Sequence, residues 1–129
     1  MKAILIDPEN RTVSEIDYSG GLRAKAALPG IYECLQCSTI DAIQGFTHND
    51  VAYVDDEGLL IDGPAYFFQT AHGHRISGRA LVVNTNDEGG DLAPRSTVAE
   101  IAAQVRFLGE LDADNPARPQ PGFTFVSFD

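Results

Sequence analysis

Short apolar runs that stop at clusters of turn-forming residues recur along this chain, and no other feature narrows its fold as far. In "KAILIDPENRTVSEIDY" two such runs flank Asp7, Pro8, Glu9 and Asn10. Proline fixes its own φ, the aspartate before it can bond forward to free backbone amides, and asparagine tolerates a left-handed conformation, so the segment reads as a β-hairpin. In its second strand Val13, Glu15 and Asp17 alternate with Thr12, Ser14, Ile16 and Tyr18, so the apolar positions do not settle on one face.

"VAYVDDEGLL" follows the same grammar. Asp55, Asp56 and Glu57 precede Gly58, which at positive φ would close a hairpin between "VAYV" and "LLI". About thirty residues on, "NDEGGD" puts Asp87, Glu88 and Gly89 in the same roles after the strand "ALVVNT". The flanks of the two phrases differ, so they share a turn and not a repeat. Calcium needs roughly six or more oxygens, drawn from alternating positions of a longer loop, and adjacent acids do not supply them. Both clusters therefore read as turns.

Two further strands follow by pattern: "TIDAIQGF", with Ile40, Ala42 and Gln44 on one side, and the buried run Ala80 to Val83, which an aromatic cluster of Tyr66, Phe67 and Phe68 and a glycine-rich polar stretch precede. Two segments read as helices. One runs from Pro29 to Cys37, where proline suits a first turn and Ile31, Cys34 and Leu35 share a face. The other is "STVAEIAAQVRFLG": Thr97 caps it, Glu100 reaches back to the cap amide, Gly109 supplies a left-handed stop, and Val98, Ile101, Ala102, Val105 and Leu108 form a buried stripe. Residues 110–122 read as a proline-rich loop leading to a C-terminal strand, "FTFVSF". The fold class is α+β, mainly an antiparallel sheet of short strands and hairpins with two helices, in a single domain over residues 1–129.

Composition bounds the function. Nine basic against nineteen acidic residues give a formal charge of −10, which repels phosphate backbones and disfavours nucleic acid as a partner. No apolar run is long enough to span a bilayer, and the N-terminus lacks the apolar core and cleavage site of a secretory signal. A cytoplasmic protein with no membrane partner is expected. Cys34 and Cys37 are too few for a disulfide framework. A redox pair wants its first cysteine at a helix N-terminus, whereas this pair falls at the C-terminal end of the expected helix, and zinc would want two further ligands at matching spacing. Buried structural thiols are the plainer reading, with a zinc site joining one or two histidines kept open.

"HGHRISGR" is the one cationic stretch of an acidic chain, with His72, His74, Arg75 and Arg79 in eight residues. As an extended segment it would point His72 and His74 the same way. They could bind a metal with His48 or Cys34, or join the arginines in an anion pocket that Gly73 and Gly78 let a ligand approach. The plainer alternative is a solvated loop. No nucleophile elbow, phosphate-binding loop, dinucleotide fingerprint or zinc-protease motif occurs in the sequence, so no catalytic residue, metal or cofactor is assigned.

Taken in order, "MKAILIDPENRTVSEIDY", "IYECLQCSTIDAI", "AYVDDEGLL" and "GRALVVNTNDEGGDL" resemble a family of small uncharacterised proteins, a domain of unknown function of bacteria, phages and conjugative elements. The likeness runs from Met1 to about Phe107 and leaves out both the tail and "HGHR". It implies a cytoplasmic α+β domain and carries no functional residues over. The leading expectation is a non-enzymatic binding or accessory protein that acts through a protein partner, linked to phage or mobile elements. The alternative is a binder or enzyme for a small anionic ligand held by His72, His74, Arg75 and Arg79. Oligomeric state is left open by the sequence.

Overall fold

In the computed structural model, which describes residues 1–58, 63–112 and 115–118, the opening hairpin forms where the sequence places it. Strand β1 (Lys2–Asp7) pairs antiparallel with β2 (Thr12–Asp17). Asp7 Oδ1 accepts the Glu9 and Asn10 backbone N–H groups at 3.1 and 3.3 Å, which uses donors the turn would otherwise strand. The left-handed residue of this turn is Arg11, at φ 55°, and not Asn10.

Helix α1 (Ile31–Leu35) follows, then β3 (Ile40–Ile43), β4 (Val51–Asp55), β5 (Ala65–Thr70), β6 (Arg75–Ser77), β7 (Ala80–Thr85), β8 (Asp91–Leu92), α2 (Val98–Ala102) and β9 (Val105–Leu111). The large sheet runs β2-β1-β7-β4-β3, with β8 on the far end of β7; the small sheet runs β6-β5-β9. All pairings among these strands are antiparallel, an α+β fold dominated by sheet.

The large sheet is covered on both faces. Ile4, Ile6, Ala52, Val54, Ala80 and Val82 pack against Phe68 and Ile76 of the small sheet and Ile101 of α2. Ala3, Leu81 and Val83 point the other way, onto Tyr18 and the α1 residues Ile31, Cys34 and Leu35. A strand buried on both faces needs no polar alternation, which is why "AILI" and "ALVV" are unbroken apolar runs. It also explains β2, whose Val13 joins the first cluster and Ile16 the second. A smaller cluster of Ala65, Phe67 and Leu111 lies on the outer face of the small sheet, with the Arg118 guanidinium 5.5 Å from the centre of the Phe67 ring.

Several expectations need correction. The second helix ends at Ala102, and Val105 to Leu111 form β9 instead. The cap is as expected, Thr97 Oγ1 accepting Glu100 N–H at 3.1 Å and Glu100 Oε1 accepting Thr97 N–H at 2.9 Å. Beyond it, pairing with β5 outweighs helix propensity: Val105 and Phe107 turn into the main core, and Gly109, at φ 79°, sits at the irregularity beside unpaired Leu108. Residues 110–111 therefore belong to a strand and not to the proline-rich loop, of which Asn115 to Arg118 form a turn; the "FTFVSF" strand lies outside the described residues.

Helix α1 starts at Ile31, after Gly30 donates its N–H to Glu33 Oε1 at 2.8 Å, and Gln36 ends it at φ 58°. It is shorter than Pro29 to Cys37, with the expected buried face. In β3, Ile43 is the buried side chain, whereas Ala42 and Gln44 are exposed. Finally, β4, the "VAYV" strand, pairs with β3 on one edge and β7 on the other. Its expected partner "LLI" falls within Leu59 to Asp62, which lie outside the described residues. Gly58 is not left-handed; a Cβ there would come within 3.0 Å of the Ser77 carbonyl oxygen. The second acidic cluster does close a hairpin, between β7 and β8, with Gly89 at φ 82° and Asn86 Oδ1 accepting the Glu88 and Gly90 N–H groups.

Candidate functional site

The cationic stretch is the turn and second strand of the β5–β6 hairpin. Thr70 organises the turn: its carbonyl accepts the Gly73 N–H at 2.9 Å, its Oγ1 accepts the His74 N–H at 3.2 Å, and Gly73 is left-handed. That arrangement separates the four candidate residues. His72 is exposed at the tip, its ring against Gly45, where a Cβ would come within 2.6 Å of it. Arg79 is drawn to the far end of the sheet, 3.5 Å from Asp7 Oδ2 and donating to the Cys34 carbonyl at 3.3 Å. His74 and Arg75 alone of the four line a common hollow, and the rings of Phe67 and Phe68 point into the cores.

That hollow is a cleft of about 250 Å³ where β3 and β6, the outer strands of the two sheets, approach each other. Asp41, Ala42, Ile43, Val54, Asp55 and Asp56 line one side; His74, Arg75, Ile76 and Ser77 line the other. Asp41 Oδ1 accepts the Ala42 N–H at 2.8 Å and Asp55 Oδ1 the Glu57 N–H at 2.9 Å. The second oxygen of each, and both oxygens of Asp56, meet no donor among the described residues. Arg75 spends Nη1 on the Ala117 carbonyl at 2.8 Å. Ser77 is 4% exposed, and its hydroxyl has no hydrogen-bond partner among the described residues. Such a buried, unpaired group calls for an explanation.

Outside the cleft, Asp50 and Asp91 are carboxylates consumed by the fold. Asp50, 1% exposed, accepts the Asn84 side-chain amide at 2.7 Å and the Arg95 and Ser96 N–H groups at 3.0 and 2.8 Å. Burial alone would raise its carboxyl, but those donors outweigh burial and hold it below the usual carboxylate range. The approach to Asp50 is strained, with His48 and Asn49 at φ 58° and 61°, and His48 bonds Glu100 at 2.9 Å. Asp91 accepts the Tyr18 and Tyr53 hydroxyls at 3.1 and 2.6 Å, tying β8 to the large sheet. Burial, with Asp91 beside it, pushes the Tyr53 phenol up to about 12 and raises Tyr18 as well.

Cys34 is buried and Cys37 half-buried, both as free thiols. Burial raises both, with Glu33 adding to it at Cys34 and Asp55 at Cys37, the reverse of what a reactive thiolate needs. Among the described residues no group of three or more His, Cys, Asp or Glu side chains could hold a metal ion. Nor is any helix among them long and apolar enough to cross a membrane.

Sequence reasoning met Asp55 and Asp56 as turn residues only, and passed over Asp41, Ser77 and Asp50. The acids were visible as a cluster. Nothing local marked Ser77, whose position comes from the pairing of β6 with β5.

A model of the domain of unknown function DUF3846 matches residues 1–106. No curated protein and no solved structure matches the chain.

Proposed function

We propose that this chain, which belongs to the DUF3846 family, is a non-enzymatic binding or accessory protein that engages a protein partner through the acidic cleft between β3 and β6. One observation carries the reading: three carboxylates with unused acceptor oxygens stand around a preformed hollow, while the carboxylates of Asp7, Asp50 and Asp91 are taken up by the protein's own donors. Small ligands and partner side chains seat in such concave sites. A formal charge of −10 favours a partner with a basic segment and works against nucleic acid. We further propose that it acts in the cytoplasm of bacteria, in connection with phages or conjugative elements.

What supports the alternative, a small anionic ligand, is that His74 and Arg75 line the same cleft; His72 and Arg79 stand apart from it. The experiment is site-directed photocrosslinking in the native host. A photoreactive residue at exposed Ala42, beside the cleft, is compared with one at exposed Ser14 on the opposite sheet edge. A discrete protein adduct at Ala42 and none at Ser14, reduced by Asp55→Asn with Asp56→Asn, supports the reading. Equal labelling at both positions, or none at Ala42, counts against it.

A further inference from the structure

Resting on the cleft as the binding site, we propose that its ligand group is an organic cation, an ammonium or guanidinium carried on an aliphatic stem. Asp41, Asp55 and Asp56 face a single guanidinium across the hollow, and Arg75 already donates to the Ala117 carbonyl. The local balance is negative, in a chain whose overall field also attracts cations. Between the acids and β6 the wall is aliphatic, made of Ile43, Val54 and Ile76. A methylene stem covers such surface while its charged head stays with the carboxylates.

The hydroxyl of Ser77 is the second, independent pointer. It is buried at 4% exposure in the wall of this cleft and unpaired among the described residues. A buried hydroxyl without a partner is costly, and a ligand N–H is a partner it can accept from. An ammonium carries three donors and a guanidinium five, enough to serve Ser77 and the carboxylates together. A bare divalent ion fits less well, because it wants roughly six oxygens converging on one point, and no metal-holding group of three ligand residues exists among the described residues. The volume of about 250 Å³ also sets a scale. It lies below the roughly 300–1,000 Å³ of pockets for drug-sized ligands, which suits one basic side chain or a short alkylamine.

The same cation can come from an arginine or lysine of a partner or from a free amine, and the test separates the two. Backbone amide shifts of the full chain are followed by NMR during titration with butylguanidinium, with pentanoate, an anion on the same butyl chain, and with a capped arginine pentapeptide and its neutral citrulline counterpart. Saturable shifts at Ala42, Val54 and Ile76 with butylguanidinium and the arginine peptide, and none with pentanoate or the citrulline peptide, are expected. Tighter binding of the peptide assigns the cation to a protein partner; no gain over butylguanidinium assigns it to a free amine. Asp55→Asn with Asp56→Asn should weaken binding by about tenfold, and Ser77→Ala by about threefold, the loss of one neutral hydrogen bond. Unchanged amide shifts far from the cleft confirm that both variants are folded. Saturation by pentanoate instead, or cation binding indifferent to these substitutions, overturns the proposal. If cations fail while the Ala42 adduct persists, the cleft still meets a partner but by other chemistry; if both fail, the cleft is not the site.

Discussion

Asp50 and Asp55 stand at the two ends of β4 and have opposite fates. Asp50 precedes the strand beside the segment that leads into α2, where the amides of Arg95 and Ser96 have no other acceptor and the Asn84 amide adds a third donor. Its carboxylate is fully engaged and sealed from water. Asp55 ends the strand at a turn that asks only for the Glu57 amide, and the residue lines the cleft. Residue type does not distinguish them. The supply of stranded donors nearby does: where the backbone runs out of partners a carboxylate becomes structure, and where it does not the charge is left for a ligand.

The largest effect should come from the consumed end. Asp50→Ala removes the acceptor of three donors, two of these bonds being fully buried, and should cost about 3–5 kcal/mol, read as a lower urea midpoint with an unchanged slope. Asp50→Asn keeps the shape but turns an amide N–H₂ towards donors, and should cost about 1–3 kcal/mol. The folded carboxyl is held below the ordinary 3.8, so its contribution is complete above that value and is lost as pH falls through the depressed folded one. The gap between the native chain and Asp50→Asn should therefore narrow at strongly acid pH. A gap independent of pH would mean that Asp50 is uncharged in the fold, and the contrast with Asp55 would collapse.

Next come the two acidic turns. Gly58→Ala puts a Cβ within 3.0 Å of a backbone oxygen on β6, and overpacking of that kind costs about 1–3 kcal/mol. Gly89→Ala meets open space but keeps a left-handed backbone at φ 82°, worth about 1–2 kcal/mol. The two losses can be told apart: Gly89→Asn should recover much of the stability lost by Gly89→Ala, whereas Gly58→Asn should be worse than Gly58→Ala. Recovery at Gly58 would show that its glycine serves backbone conformation and not the close approach to Ser77.

Asp91 lies between the extremes, bonded by two phenols yet half-buried. Tyr53→Phe removes one of those bonds and should cost about 1 kcal/mol at neutral pH. The Tyr53 phenol is raised from 10.0 to about 12, so the folded chain holds a proton that the unfolded chain releases. That stabilisation is complete below pH 10 and lost as pH rises through about 12. Alkaline unfolding followed in both chains should show a shallower decline in Tyr53→Phe, and phenolate absorbance should show a late-titrating tyrosine that the variant lacks.

Much of this fold was legible because hairpin signals are local. Asp7 and Pro8 set the first turn, and Asn86 to Gly90 set another, through bonds within five residues. The reading failed where two distant segments decide the outcome. Val98, Ile101, Ala102, Val105 and Leu108 do recur at helical spacing, yet Val105 and Phe107 gain more by closing the free edge of β5 than by extending α2. Nor does "VAYVDDEGLL" give any sign that β3 and β7 occupy the two edges of β4. The site was partly legible. A turn reading accounts for the Asp55 bond to Glu57 but says nothing about Asp41 on the neighbouring strand or about Ser77, since a cleft between two sheets has no sequence spacing.

The smallest stability effect belongs to the free end of β4, and it tests the comparison most sharply. Asp55→Asn with Asp56→Asn keeps an oxygen for the Glu57 amide, the one described donor to this pair, and removes two charges. Stability should change by no more than about 0.5 kcal/mol, and in the favourable direction if the Asp41 charge repels them. Raising salt should shrink that gain, because exposed charges are screened over a Debye length of about 8 Å at physiological ionic strength. A loss above about 1 kcal/mol would place these acids with Asp50 as fold-forming groups. Neutral stability with lost cation binding would instead separate the two ends of β4 by what each carboxylate does: one holds the chain's own amides, and the other is kept for a group from outside.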